Sequence, residues 1–162
     1  MIWLLFYVIV LLYSSHNVSG TRLRAGTKYY LRKRSWKVTE MEGIMSVEKQ
    51  SFGTTKKGEA ISLYTVTNKN GMVMKVTDFG AILVSVLVPD KNGVLTDVVL
   101  GYDHGEDYQV NPPHFGSTIG RNGNRINGAS FMLNGKKIQL TPNENGNNLH
   151  SGPDGFEFMM WE

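Results

Sequence analysis

The sequence predicts an all-β protein of antiparallel strands arranged as a sandwich, and three observations lead there. From Ala60 onward, apolar and β-branched residues recur in short runs at the two-residue period of a strand. Those runs are separated by Gly- and Asn-containing turns at hairpin spacing. No segment from 60 to 162 keeps a helical apolar period over three turns, so crossover helices for parallel pairing are missing.

The elements follow in order. Ile61, Leu63, Thr65 and Thr67 alternate with Ser62, Tyr64, Val66 and Asn68, a strand pattern. Lys69-Asn70-Gly71 then turns the chain into Met72–Asp78. Asn70-Gly71 suits a hairpin in which both residues take positive φ. Phe79-Gly80-Ala81 is a break, and Ile82–Val88 is a strand stopped by Pro89. After the Asp90-Lys91-Asn92-Gly93 turn, Asp97–Leu100 reads as a short buried strand. Phe131–Leu133, Asn134-Gly135 and Lys136–Leu140 form another hairpin, with Ile138 and Leu140 on one face and Lys137 and Gln139 on the other.

Composition bounds the function. The chain has 162 residues, enough for one domain with a core. It has no Cys, which removes disulfides and thiolate metal sites. Residues 1–40 hold seven Lys/Arg against one acid, so the net charge of +3 belongs to this arm. The rest sums to −3, and nucleic acid is not an expected partner. Residues 1–20 read either as a signal peptide or as a spurious upstream extension. The apolar run IWLLFYVIVLLY suits a signal core and is short for a membrane span. However, no Lys or Arg precedes it, which favours Met41 or Met45 as the true start. The sequon Asn17-Val18-Ser19 lies inside the segment that cleavage would remove. Residues 21–44 are a basic linker or arm, and 45–162 are the folded part.

The stretch Phe115–Phe131, FGSTIGRNGNRINGASF, is the richest in chemistry. Between Gly116 and Gly152 lie seven Gly and eight Asn, which resist regular structure. Its apolar residues, among them Ile119, Ile126 and Leu149, mark it as an ordered loop rather than a disordered one. Arg121 and Arg125 present planar forks suited to oxygen pairs, and Asn124 adds a donor and an acceptor. Such a set matches sugar hydroxyls. A more ordinary role is for one Arg to tether loop carbonyls while the other is solvated. His150, in Asn-Asn-Leu-His-Ser-Gly, is a candidate proton mover or ligand, against a bracing role in the loop. His104 lies in an acidic turn, and His114 follows Pro112-Pro113 as a loop support. Asp103, His104, Asp107 and His114 have metal-binding residue types but no recognised ligand spacing, so no metal is expected. Glu144 is the lone carboxylate between Pro113 and His150, so no paired-carboxylate mechanism is visible there. Dinucleotide, phosphate-loop and nucleophile-elbow motifs are missing.

The order and spacing of several short elements resemble the aldose 1-epimerase (galactose mutarotase) family. They run through Phe79-Gly80-Ala81, Asp97-Val98-Val99-Leu100-Gly101-Tyr102, Phe115-Gly116, Ile119-Gly120-Arg121, Asn124-Arg125-Ile126, Asn134-Gly135-Lys136, Asn148-Leu149-His150, Gly155-Phe156 and Trp161. The resemblance covers the chain from about Val47 and implies a large antiparallel supersandwich, here truncated. It implies an isomerase that interconverts the α and β anomers of galactose and glucose by acid/base ring opening, without cofactor. It also implies a monomer in the cytoplasm with a small hexose as partner and no membrane partner; export through residues 1–20 is the alternative localisation. Asn124, Arg125 and His150 then correspond to sugar-binding residues, and Arg121 to a structural one. Where the family has Leu-His-Gly-Gly, Ser151 here stands for a Gly.

The family's general-acid His and general-base Glu are expected beyond Glu162, so the 162 residues hold a binding half without its proton movers. On that reading the chain alone is inactive and, with uncovered strands, prone to associate. The alternative is a non-catalytic carbohydrate-binding β-sandwich domain.

Overall fold

The computed structural model describes residues 44–162. The expectations for the signal segment, the sequon and the basic arm lie outside these residues.

Five strands form an antiparallel meander in the order β1-β2-β3-β4-β5. They are β1 (Ile44–Thr54), β2 (Ala60–Asn68), β3 (Val73–Thr77), β4 (Leu83–Pro89) and β5 (Leu95–Asp97). Two ribbons complete the strands: β6 (Arg125–Ile126) with β9 (Asn148–Leu149), and the hairpin β7 (Ser130–Leu133) with β8 (Lys136–Gln139). Every pairing is antiparallel, as the sequence predicts.

One turn design joins the first strands. At Asn68, Gly71 N–H donates to the Asn68 carbonyl and Asn68 N–H to the Met72 carbonyl. The Asn68 side-chain Oδ1 meanwhile accepts from Asn70 N–H and Met72 N–H, both at 2.9 Å. Asp90 repeats this with Asn92 N–H and Val94 N–H, both at 2.8 Å. Thr55 repeats it with its hydroxyl. In each turn the Gly three residues on, Gly71, Gly93 or Gly58, takes φ near +80°. The expected hairpin forms here, but only Gly71 is left-handed, because Asn70 is not among the residues with positive φ. The turn places its single left-handed residue at a Gly, and a side-chain acceptor in front holds the loop amides. At Asn134-Gly135 both residues are left-handed (φ 50° and 75°), the two-residue turn the sequence predicts there.

The sheet buries parts of both faces. Ile61 and Leu63 on one face join Phe79, Ile82, Val84 and Tyr108, with Phe52, Tyr102 and Met160 at the edge. Val66 and Val76 face the other way, against Met74 and Leu83. A bulge makes this two-sidedness workable. Val76 pairs with Leu83 while Lys75 pairs with Ser85, so Val84 is an extra residue and packs with the Ile61 cluster.

Two readings need revision. Asp97–Leu100 is not a buried strand. The strand is Leu95–Asp97, it is exposed, and Val98 and Leu100 are 62% and 70% accessible. Asp97 ends it, because its Oδ1 accepts from Val86 N–H and Val99 N–H and so bends the chain out of the ladder. The second revision is β1. The strand pattern reads from Ala60, yet the longest strand begins at Ile44 and runs along β2 through two register shifts. Its Ser, Glu, Lys and Gln residues hide the alternation, since the outer strand of a sheet tolerates polar side chains.

Candidate functional site

Hydrogen bonding organises the Gly/Asn segment around the β6–β9 pair, in which Arg125 lies opposite Leu149 and Ile126 opposite Asn148. One step beyond that ladder, His150 N–H donates to the Asn124 carbonyl at 3.0 Å. Asn124 N–H donates in return to His150 Nδ1, also at 3.0 Å. Both peptide groups of Asn124 are therefore committed to His150, while Asn124 itself is exposed. A backbone N–H only donates, so His150 Nδ1 is an acceptor. The ring proton sits on Nε2, which is left as a donor. Among the described residues no partner engages Nε2.

Arg125 is half exposed, and its fork grips Glu144: Nε to Oε2 at 3.1 Å and Nη2 to Oε1 at 2.8 Å. Glu144 stands on a small turn closed by an isolated bridge to Asn147. The Arg125 bond holds the Glu144 carboxyl below its ordinary range, and Glu144 in turn holds the guanidinium above its own. A bidentate pair fixes the guanidinium plane and leaves Nη1 for another oxygen. No pattern in the chain signals this partnership beyond the isolation of Glu144 among amides.

The backbone after His150 answers the Ser-for-Gly departure. His150, Ser151 and Gly152 are consecutively left-handed, with φ of 51°, 72° and 69°. Ser151 thus adopts a conformation that Gly enters without cost. Its hydroxyl accepts from Asn122 N–H at 2.7 Å and donates to the Asn122 carbonyl at 3.2 Å, bridging the two loops. Arg121 lies over the Phe156 ring at 5.3 Å from its centroid, a packing role. Gly120, its neighbour, is a Gly because a Cβ there would collide with the same ring.

The predicted residues therefore divide. Asn124 and His150 bond to each other, Arg125 next along β6 grips Glu144, and Arg121 lies over Phe156. His114, read from sequence as a loop support, lies beside His150, with ring centroids 5.2 Å apart. Its Nδ1 contacts the buried Glu157 carboxylate at 2.8 Å. The sequence reading missed Glu157 altogether, because nothing in the spacing pairs it with His114. Two clefts lie elsewhere. One of about 700 Å³ runs between Phe52, Ser85 and Tyr102, and another of about 460 Å³ between Arg121, Asn148 and Phe156. Neither of these two is lined by Asn124, Arg125 or His150. No group of three or more His, Cys, Asp or Glu suited to a metal occurs among the described residues. Among them, no helix is long and apolar enough to cross a membrane.

A family model for aldose 1-epimerase matches residues 62–162. The chain belongs to the aldose 1-epimerase family. Aldose 1-epimerase from Escherichia coli (strain K12) is 35% identical over 105 residues, covering 65% of this chain and 30% of the relative. Galactose mutarotase from Bos taurus is 32% identical over 118 residues, covering 73% and 34%. Among solved structures, galactose 1-epimerase from Lactobacillus acidophilus NCFM superposes with a TM-score of 0.61 at 26% identity, over 72% of this chain and 33% of that one. An aldose epimerase homologue from C. elegans gives 0.55 at 37% identity, over 58% and 29%. The fold is thus the antiparallel β-fold of the galactose mutarotases. The chain spans about a third of the length of the curated relatives it matches.

Proposed function

We propose that these residues form part of the sugar site of an aldose 1-epimerase that interconverts the α and β anomers of hexoses such as galactose and glucose. Asn124 and Arg125 bind sugar hydroxyls, and His150 donates to one from Nε2–H. The observation that carries this reading is the reciprocal bonding of Asn124 and His150 across the β6–β9 pair. It joins two sequence-distant elements of the family pattern. The reaction needs no cofactor, and the functional unit is a monomer in the cytoplasm. The unit includes β1, upstream of the family match, since β1 pairs along β2.

Ring opening requires one group to take the C1 hydroxyl proton and another to protonate the ring oxygen. On the family mapping neither group is among residues 1–162, so this chain by itself is a binding half. In polarimetry with freshly dissolved α-D-glucose, the 162-residue chain should leave the drift of optical rotation unchanged. Acceleration would place a proton mover within it.

The alternative is a carbohydrate-binding domain without catalysis, in which His150, its Nδ1 lone pair used by Asn124 N–H, serves as the same fixed donor. Polarimetry on the protein joined to any downstream sequence separates the two.

A further inference from the structure

His114 and His150 meet edge to face, with planes at 72°. Each ring is held through Nδ1, but by opposite kinds of partner. His150 Nδ1 accepts from Asn124 N–H, so its proton is on Nε2. His114 Nδ1 faces a carboxylate, which only accepts, so there the proton is on Nδ1. The neutral His114 ring then carries its lone pair on Nε2. Two adjacent imidazoles are thereby fixed in opposite tautomers, one offering a donor and the other an acceptor.

Both holding bonds are firmly built. Glu157 is 3% exposed, and His114 is the hydrogen-bond partner of its carboxylate among the described residues. The backbone around Glu157 is anchored to the sheet. Gly80 N–H donates to the Met159 carbonyl at 2.7 Å, and a Cβ at Gly80 would collide with the Glu157 carbonyl. On the other side, His114 N–H donates to the Asn111 carbonyl at 2.9 Å. The Asn111 side chain holds Phe115 N–H and the Phe115 carbonyl. The His114 side chain is nevertheless 32% exposed, so a ligand can reach it.

A sugar hydroxyl is a donor and an acceptor at once, and needs both kinds of partner for full satisfaction. We propose that His114, oriented by Glu157, is a further sugar-binding side chain beside His150. It accepts a hydroxyl proton at Nε2, while His150 Nε2–H donates to a hydroxyl oxygen. This rests on the reading of His150 as a sugar ligand. It adds an imidazole acceptor beside the donors of His150 and Arg125 and the Asn124 amide, which both donates and accepts.

The test titrates the full chain, with ¹⁵N-labelled histidines, with D-galactose, and follows all four ring nitrogens of His114 and His150. Before sugar is added, His114 should show the Nδ1–H form and His150 the Nε2–H form; the same tautomer in both rings overturns the proposal. On titration, both Nε2 signals should shift with one dissociation constant. His114→Phe should weaken galactose binding about 2- to 10-fold, the loss of one hydrogen bond, and His114→Gln, which keeps an acceptor, should recover part of it. If His150 responds and His114 does not, His114 merely pins Glu157; the proposal fails and the sugar reading stands. If neither ring responds, both fail. The ring signals of the unmutated chain decide between these outcomes even where a variant does not fold.

Discussion

Tyr108→Phe removes one oxygen and nothing else from the centre of the main core. The ring is 1% exposed and packs edge-on against Tyr102 at 5.1 Å, with Phe52 at 6.2 Å. These contacts survive the change. The hydroxyl does not, and it both accepts from Tyr102 N–H at 2.7 Å and donates to the Tyr102 carbonyl at 3.3 Å. The longer bond adds little, and a carbonyl has a second lone pair to use elsewhere. The short one matters, because Tyr102 N–H has no other acceptor among the described residues if the hydroxyl goes. An unsatisfied buried donor costs about 1–3 kcal/mol, and the half-buried position of Tyr102 argues for the lower part, about 1–2 kcal/mol. Burial also raises the Tyr108 phenol above its ordinary range, so the group stays a neutral donor throughout the physiological range. With a urea slope of about 2 kcal/mol/M, the unfolding midpoint should fall by about 0.5–1 M at unchanged slope. Equilibrium urea unfolding of the full chain, followed by circular dichroism, measures this. An unchanged midpoint would refute the reasoning. It would mean that water replaces the hydroxyl and that the Tyr102 turn is not held by Tyr108.

Three further outcomes are expected. Glu144 titrates below its ordinary 4.5 because of Arg125, so the pair is present above that value and is lost as pH falls through the lowered one. Carboxyl NMR should show the Glu144 titration moving up towards 4.5 in Arg125→Gln, and no movement would mean the fork is not formed in solution. Gly80→Ala forces a side chain into a left-handed position (φ 67°) against the Glu157 backbone. It should cost at least about 1 kcal/mol and shift the His114 ring signals, whereas a stable variant with unmoved signals contradicts the close approach. Asn68→Ala removes the acceptor for Asn70 N–H and Met72 N–H and should lower stability by about 0.5–1.5 kcal/mol in thermal unfolding. Asp90→Ala should act through the same mechanism, and opposite signs for the two would argue against a shared turn design.

The strand-turn pattern was legible because it is local. Gly71, Gly93 and Gly135 each mark a position with positive φ, and the acceptors Asn68 and Asp90 precede the first two by three residues. β1 was less legible because one face of an outer strand asks little of its side chains. The β5 reading failed because Val98, Val99 and Leu100 look like core in sequence, while Asp97 bends the chain before they can join the sheet. The family pattern picked out Asn124, Arg125 and His150 as candidates, and folding bonds Asn124 to His150. It could not show that Arg125 is already clasped by Glu144.

What the sequence determined by itself is the all-β class, most of the turns and the family. Each depends on residues close in the chain, where backbone preference and side-chain period act without long-range help. Tertiary structure alone decided the partners of the candidate site. Glu157 reaches His114 because the Gly80–Met159 contact brings the last described segment back to the sheet. Asn124 fixes the His150 tautomer because β6 and β9 pair across two loops. Those contacts join residues far apart in sequence, and closing such loops depends on the summed packing of the sheet rather than on any local signal. The protonated nitrogen of each imidazole is therefore a property of the fold.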